Sequence, residues 1–284
     1  MMLTAMLAVA MGVAVGPPKF APDWLDNFND GNAVDGAPVT WTDSPAFGSA
    51  FEVVDGDLIV SMDPGTPAIS SPRVGKYFAM GASVRARMVA VNGPGRYTVA
   101  FADEATGIKG YVASFSTCQG GRVELFRGDV IGQIVFIGGG QVAWPYSPTD
   151  GEFYIQLDVF EGVVSARVWR PGEPFPKAAL SAMDDTYPDG VASIAIQDFG
   201  NGASCLASGN LTDTYAVVRF AQASSNPLTS SGRGDINVDG QQDFTDVLAF
   251  LTAFGEMGPE ADLAAPYGQW DFSDVVAFLV AFAE

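Results

Sequence analysis

The sequence predicts a mainly β protein: an antiparallel two-sheet sandwich over residues 22–222, followed by a small helical unit over residues 235–284. Three observations carry that expectation. Short runs rich in Val, Ile, Phe and Tyr recur between Gly, Asp, Asn and Pro. Two of the longer runs alternate apolar and polar residues, which marks strands with one face buried. Apolar residues at helical spacing appear only at the end of the chain, where one segment occurs twice.

The strand candidates in order are 51–54, 58–61, 82–91, 97–101, 111–115, 123–126, 134–137, 153–160, 163–168, 191–196 and 215–220. Alternation is clean from Ser83 to Met88 and from Tyr154 to Phe160. Asp55-Gly56, Gln119-Gly120-Gly121 and Glu161-Gly162 separate adjacent runs and predict hairpin turns. About eleven strands without an intervening helix fit one sandwich of two packed sheets. Residues 223–234, rich in Ser, Asn and Gly, read as a linker.

The segment after the linker begins with Asp235-Ile236-Asn237-Val238-Asp239-Gly240 and runs through Asp243 to Asp246. Side-chain oxygens fall at loop positions 1, 3, 5, 9 and 12, the Gln241 carbonyl supplies position 7, and glycine occupies position 6. A calcium ion takes six to eight oxygens, and the glycine permits the sharp bend between ligands, so this spacing predicts a calcium site. Phe244, Val247, Leu248, Leu251 and Phe254 then recur at helical spacing. The helix repeats, since residues 243–254 reappear as residues 271–282, and neither short copy can bury its stripe alone. In the second copy Asp262, Asp271 and Asp274 align with ligand positions, but Ala264 and Pro266 stand where oxygens are needed. That site is expected to be weak or empty.

Paired loop–helix calcium units without the entering helix of an EF-hand resemble a dockerin, here the planctomycete type with a DFSDVLAF-like core. The resemblance covers residues 233–284 and implies a calcium-folded attachment module that docks on a cohesin-like or cell-surface protein. The sandwich resembles the concanavalin-like jelly rolls, including laminin-G-like modules. Residues 25–31 resemble their first strand, and residues 213–220 their returning last strand. Such jelly rolls include sugar binders and glycosidases.

Net charge is −19, and 10 of the 33 acidic residues but only one of the 14 basic residues lie in residues 233–284. This balance argues against nucleic acid, whose phosphates need Lys and Arg partners. The chain has no histidine, which removes Ser-His-Asp and Cys-His catalysis and imidazole-ligated zinc. Cys118 and Cys205 form one disulfide in an exported protein, or else stay as two buried thiols. Residues 1–16 are a continuous apolar run, too short to span a bilayer, and read as a signal peptide without its basic start. No other stretch reads as a membrane span, so the expected location is secreted or at the cell surface.

A retaining glycosidase of this fold would carry Glu-x-Asp-x-x-Glu on one strand, because residues two apart share a face. The motif is absent. Asp55 and Asp57 flank a turn, and catalysis would need acids such as Glu124, Glu152 and Asp158 to converge from different strands. A sugar binder would use aromatic rings. Trp41, Trp144, Tyr146 and Trp169 are candidates, with Trp144 and Tyr146 best placed in a loop. The sequence thus favours a non-catalytic, polysaccharide-binding module with a calcium-dependent tail. A tethered glycoside hydrolase is the alternative.

Overall fold

A computed structural model describes residues 23–36, 38–43, 50–61, 69–70, 72–91, 95–117, 121–130, 133–142, 144–145, 151–170, 173, 176, 178–198, 215–228, 234, 236, 243–257, 261, 263–264 and 269–283. The signal-like run, both cysteines, Tyr146 and calcium-loop residues Asp235, Asn237, Asp239, Gln241 and Asp262 lie outside the described residues.

Among the described residues there are sixteen strands and two helices. The strands are β1 (Trp24–Asp26), β2 (Trp41–Asp43), β3 (Ala50–Val54), β4 (Asp57–Ser61), β5 (Ile69–Ser70), β6 (Pro72–Phe78), β7 (Ala82–Val91) and β8 (Gly95–Ala102). They continue as β9 (Gly110–Ser116), β10 (Arg122–Val130), β11 (Gln133–Gln141), β12 (Glu152–Phe160), β13 (Val163–Trp169), β14 (Leu180–Met183), β15 (Gly190–Asp198) and β16 (Tyr215–Ser224). The helices are α1 (Phe244–Glu256) and α2 (Phe272–Ala283).

The strands form two antiparallel sheets packed as a jelly-roll sandwich. Sheet I has the order β14-β13-β12-β7-β16-β4-β3, with β1 added to β16. Sheet II has the order β11-β10-β9-β8-β15-β6-β2, with β5 added to β15. The first and last strands pair directly, Trp24 opposite Ala223 and Asp26 opposite Ala221, so the chain closes on itself as the sequence implies. All eleven expected runs fall inside observed strands. The strands without a sequence signal are short or broken: β6 carries Pro72, Arg73, Gly75 and Lys76, and β14 has four residues.

The turns follow residue chemistry. Asp55 (φ 50°) and Gly56 (φ 80°) join β3 to β4, and Glu161 (φ 50°) and Gly162 (φ 75°) join β12 to β13. Positive φ at both central residues matches the twist of the flanking strands, and Gly adopts it without Cβ strain.

Alternation fixes which residues fill the core. Val84, Ala86 and Met88 of β7, Phe153, Ile155 and Leu157 of β12, Tyr97, Val99 and Phe101 of β8, and Ala113 and Phe115 of β9 all point between the sheets. Asp26 links the sheets through Trp41. Its carboxylate accepts the Phe28 N–H at 2.9 Å and the Trp41 Nε1–H at 2.8 Å. Burial nevertheless pushes this acid up to about 6.

The helical unit has its own small core. Phe250 of α1 and Phe278 of α2 stack at 4.2 Å with their planes 3° apart, and Ala261 and Leu263 complete the buried set. No helix among the described residues is long and apolar enough to cross a membrane.

Candidate functional site

The residues that alternate with the core point outward, and the two sheets treat them differently. Across sheet II the ladder lines up Gln197, Arg96, Ser116 and Arg122 in one outward row. The next row holds Ala195, Thr98, Ser114, Glu124 and Gly139. A third holds Arg73, Ser193, Ala100, Val112, Phe126 and Phe136. Over β15, β8 and β9 these positions are mostly small, so they form a floor between longer side chains. Arg73 stands on one side of that floor, and Phe126 and Phe136 on the other.

The rim is open and the floor is buried. Phe136 is 50% exposed and Ile134 beside it 62%. Phe126 and Phe136 lie 5.5 Å apart. The Arg96 guanidinium sits 4.9 Å above Phe126, and that of Arg122 5.7 Å above Phe136. Gly139 makes the second arrangement fit. A Cβ there would lie 2.7 Å from the Phe136 ring and 2.8 Å from the Arg122 guanidinium.

Among the described strand positions of this face, Glu124 is the one carboxylate. Glu124 accepts a 2.7 Å bond from Arg96 Nε and lies 3.8 Å from Arg122 Nε. Arg96 also donates to Gln197 Oε1 at 3.0 Å. The Ser114 Oγ between Thr98 and Glu124 is fully buried, and it has no hydrogen-bond partner among the described residues. An unsatisfied hydroxyl of this kind is costly to bury and can be satisfied by a bound oxygen or hydroxyl group. Half-open phenyl rings beside polar groups suit a ligand with one apolar and one hydroxylated face.

The outer face of sheet I is closed. Tyr154 and Trp169 stack at 4.9 Å with planes 9° apart, and Phe220 packs 5.9 Å from Tyr154. Arg85 lies 5.5 Å above Trp169, and Arg87 5.4 Å above Tyr154. Asp158 accepts from Gln156 Nε2 at 2.6 Å and is bonded by Ser83 and Arg167. The segment after β16 then folds across this polar chain. The Leu228 N–H donates to Ser83 Oγ at 3.0 Å, and Gln156 Nε2 donates to the Leu228 carbonyl at 3.0 Å. Further along, Glu152 pairs with Arg87 at 2.5 Å and Arg219 at 3.0 Å, and Asp57 pairs with Arg219. Burial would raise Glu152, but the two guanidiniums overcome it and hold the carboxyl below the usual range.

The three acids whose convergence catalysis would need are therefore apart. Glu124 is on the outer face of sheet II, and Glu152 and Asp158 are on that of sheet I. Glu152 and Asp158 lie six residues apart on one strand, roughly 20 Å. Each is held by arginine.

The expected ring platform also needs correction. Trp144 is buried at 7% exposure in the main core, 6.1 Å from Phe115, with Arg170 over its ring. Trp41 and Trp169 are buried as well. A Trp in a Pro-flanked loop is large enough to fill the open end of a sandwich, and burying its ring outweighs exposing it. The rings that do face outward are Phe126 and Phe136, which sequence reasoning missed. No local signal marked them: Phe136 stands in the apolar run Ile134-Val135-Phe136-Ile137, and only its pairing with Phe126 shows which face it takes.

In the tail the two copies can be compared where they are described. Asp243 caps α1, accepting the Thr245 N–H at 2.8 Å, while Asp246 accepts the Asp243 N–H at 2.7 Å. At α2 this repeats: Asp271 accepts the Ser273 N–H at 2.7 Å, and Asp274 accepts the Asp271 N–H at 2.9 Å. The Asp274 Oδ1 further accepts the Leu263 and Ala264 N–H groups at 2.7 and 2.8 Å. Both oxygens of Asp274 thus accept main-chain N–H groups. No group of three or more acidic or thiolate side chains able to hold a metal occurs among the described residues.

The strand order, the pairing of first with last strand and the two-sheet core define an antiparallel jelly-roll sandwich. No family model matches the chain, and no curated protein matches it. Among solved structures it is similar to a β-glucanase of Bacillus licheniformis, with TM-score 0.51 and 12% identity over 71% of this chain and 97% of that one. It is similar to a β-1,3-1,4-glucanase (lichenase) derived from a mouse hindgut metagenome, with TM-score 0.50 and 11% identity over 72% and 99%. A Bacillus subtilis protein with a galectin-like fold gives TM-score 0.50 and 16% identity over 73% and 97%. At these identities the likeness shows the fold alone.

Proposed function

We propose that this chain is a secreted, non-catalytic glycan-binding protein whose sandwich holds a polysaccharide on the outer face of sheet II. Its tail, a calcium-folded dockerin-like module, attaches it to a cohesin-like or cell-surface protein. The observation that carries the sugar-binding reading is the half-exposed Phe136 ring, packed on Phe126, beside a polar floor with an unsatisfied buried hydroxyl. The jelly-roll likeness supports it, because solved structures of this shape include glucanases.

The same likeness favours the second reading, a glycoside hydrolase. Geometry speaks against it. Retaining hydrolysis needs two carboxyls about 5 Å apart, and inverting hydrolysis about 6.5–9.5 Å. Among the described strand positions of this face Glu124 is the one carboxylate, and it lies between two arginines.

The test is a polysaccharide panel read both for retention in affinity electrophoresis and for release of reducing ends. Retention without release, lost in Phe136→Ala, supports the binder. Release that disappears in Glu124→Gln would make the chain a hydrolase.

A further inference from the structure

We infer that the ligand of the sheet II face is an acidic polysaccharide, one whose sugars carry carboxylate or sulfate groups. The inference rests on reading that face as a glycan site and adds the ligand's charge.

The chain has 33 acidic residues against 14 basic ones, yet this face reverses the balance. Its outward strand positions bring Arg73, Arg96 and Arg122 together with a single acid, Glu124. Over these strand positions three guanidiniums stand against one carboxylate on an otherwise acidic protein.

The arginines are unequally committed. Arg96 is held by Glu124 and Gln197. Arg122 is 3.8 Å from Glu124, beyond hydrogen-bond reach, and its side chain is 38% exposed. It donates no hydrogen bond among the described residues; the Phe136 ring and the gap over Gly139 position it instead. A guanidinium fixed in place with its donors unspent is arranged to take a carboxylate or sulfate oxygen in a forked bond. The Phe136 ring beside it would then carry the apolar face of the same sugar.

A second unspent donor lies deeper. Ser114 Oγ is completely buried on the same row as Glu124 and unpartnered among the described residues. Arg73, across the floor, donates to the Glu104 carbonyl, while its Nε is buried without a partner among the described residues. Arg122 and Arg73 are four strand steps apart, roughly 19 Å at about 4.8 Å per step, so the unspent donors span a length suited to a chain of several sugars.

Calorimetry on the full-length protein tests this with three ligands: oligogalacturonate for carboxylates, a sulfated galactan oligosaccharide for sulfates, and a neutral β-glucan oligosaccharide. At least one anionic ligand should bind about tenfold tighter than the neutral one, with affinity falling as salt rises. Arg122→Gln should remove that preference and Arg122→Lys should retain part of it, while Phe136→Ala should weaken binding to every ligand. Which anionic ligand binds identifies carboxylate or sulfate. Equal binding of all three, unchanged in Arg122→Gln but lost in Phe136→Ala, overturns the acidic ligand and leaves the glycan face standing. Binding of none, with Phe136→Ala indistinguishable from the parent, overturns both.

Discussion

The outer faces of the two sheets are built from the same materials to opposite ends. Both set guanidiniums over aromatic rings beside carboxylates and amides. On sheet I the rings of Tyr154, Trp169 and Phe220 are 0–1% exposed, and the Leu228 peptide closes over the polar groups. On sheet II Phe136 is half exposed, Arg122 donates no hydrogen bond among the described residues, and Ser114 lacks a partner. Ser83, Gln156 and Asp158 on sheet I are bonded by the chain itself and covered, so they are structural; on sheet II the donors lie beside an open ring, and it is that exposure which prepares the face for a ligand. Residue composition alone would have pointed to the wrong face, because the larger and richer aromatic set is the sealed one.

The comparison is broken most sharply by truncating a ring on each face. Trp169→Ala should cost about 3–5 kcal/mol in urea unfolding, because it removes a buried stack from Tyr154 and Arg85. A loss below 1 kcal/mol would mean that sheet I is not sealed. Asp158→Ala should cost about 3 kcal/mol, since it strands Arg167, Ser83 and Gln156 in a buried network.

Acidity separates the interior from these faces. Asp26 has its folded value near 6 against 3.8 in an exposed acid, so folding favours its protonated form. Its contribution is complete below 3.8 and is lost as pH rises through 6, up to about 3 kcal/mol. Glu152, held low by Arg87 and Arg219, works the other way: its contribution is present at neutral pH and is lost on acidification. Stability measured from pH 4 to 7 should therefore gain a component that falls with pH, and Asp26→Asn should remove that component. An unchanged pH profile in Asp26→Asn would refute it.

Smaller effects belong to the tail and the open face. Asp274→Ala should cost about 2 kcal/mol of the helical module even in chelator, because its carboxylate accepts three main-chain N–H groups. Calcium titration should read one strong site, abolished by Asp235→Ala; two sites of equal strength would contradict the inequality of the copies. Smallest of all, Phe136→Ala should change stability by only about 0.5–1 kcal/mol, whatever it does to glycan retention. A loss as large as that of Trp169→Ala would show the ring to be part of the core.

Much of the fold could be read directly from residues. The Ser83–Met88 alternation predicts β7, and Asp55-Gly56 and Glu161-Gly162 predict turns whose positive φ values are present. The missed strands β6 and β14 lack that pattern, because Pro and Gly interrupt one and the other is a short edge. The candidate site was less legible. Trp144 looked like a loop platform and fills the core, whereas Phe136 sat in an unbroken apolar run whose faces could not be told apart.

What the sequence determined by itself is whatever depends on near neighbours: strand period, turn chemistry, the repeated helical spacing at the end of the chain, and the lack of a same-strand catalytic acid pair. Period two assigns a residue to one of two faces but does not say what covers that face. Only the tertiary structure decided that Arg96 meets Glu124, 28 residues on, and Gln197, 101 residues on, or that Leu228 closes over Ser83, 145 residues before it. Such pairings follow from strand order, and strand order is set by burying two whole sheets against each other rather than by any local run of residues.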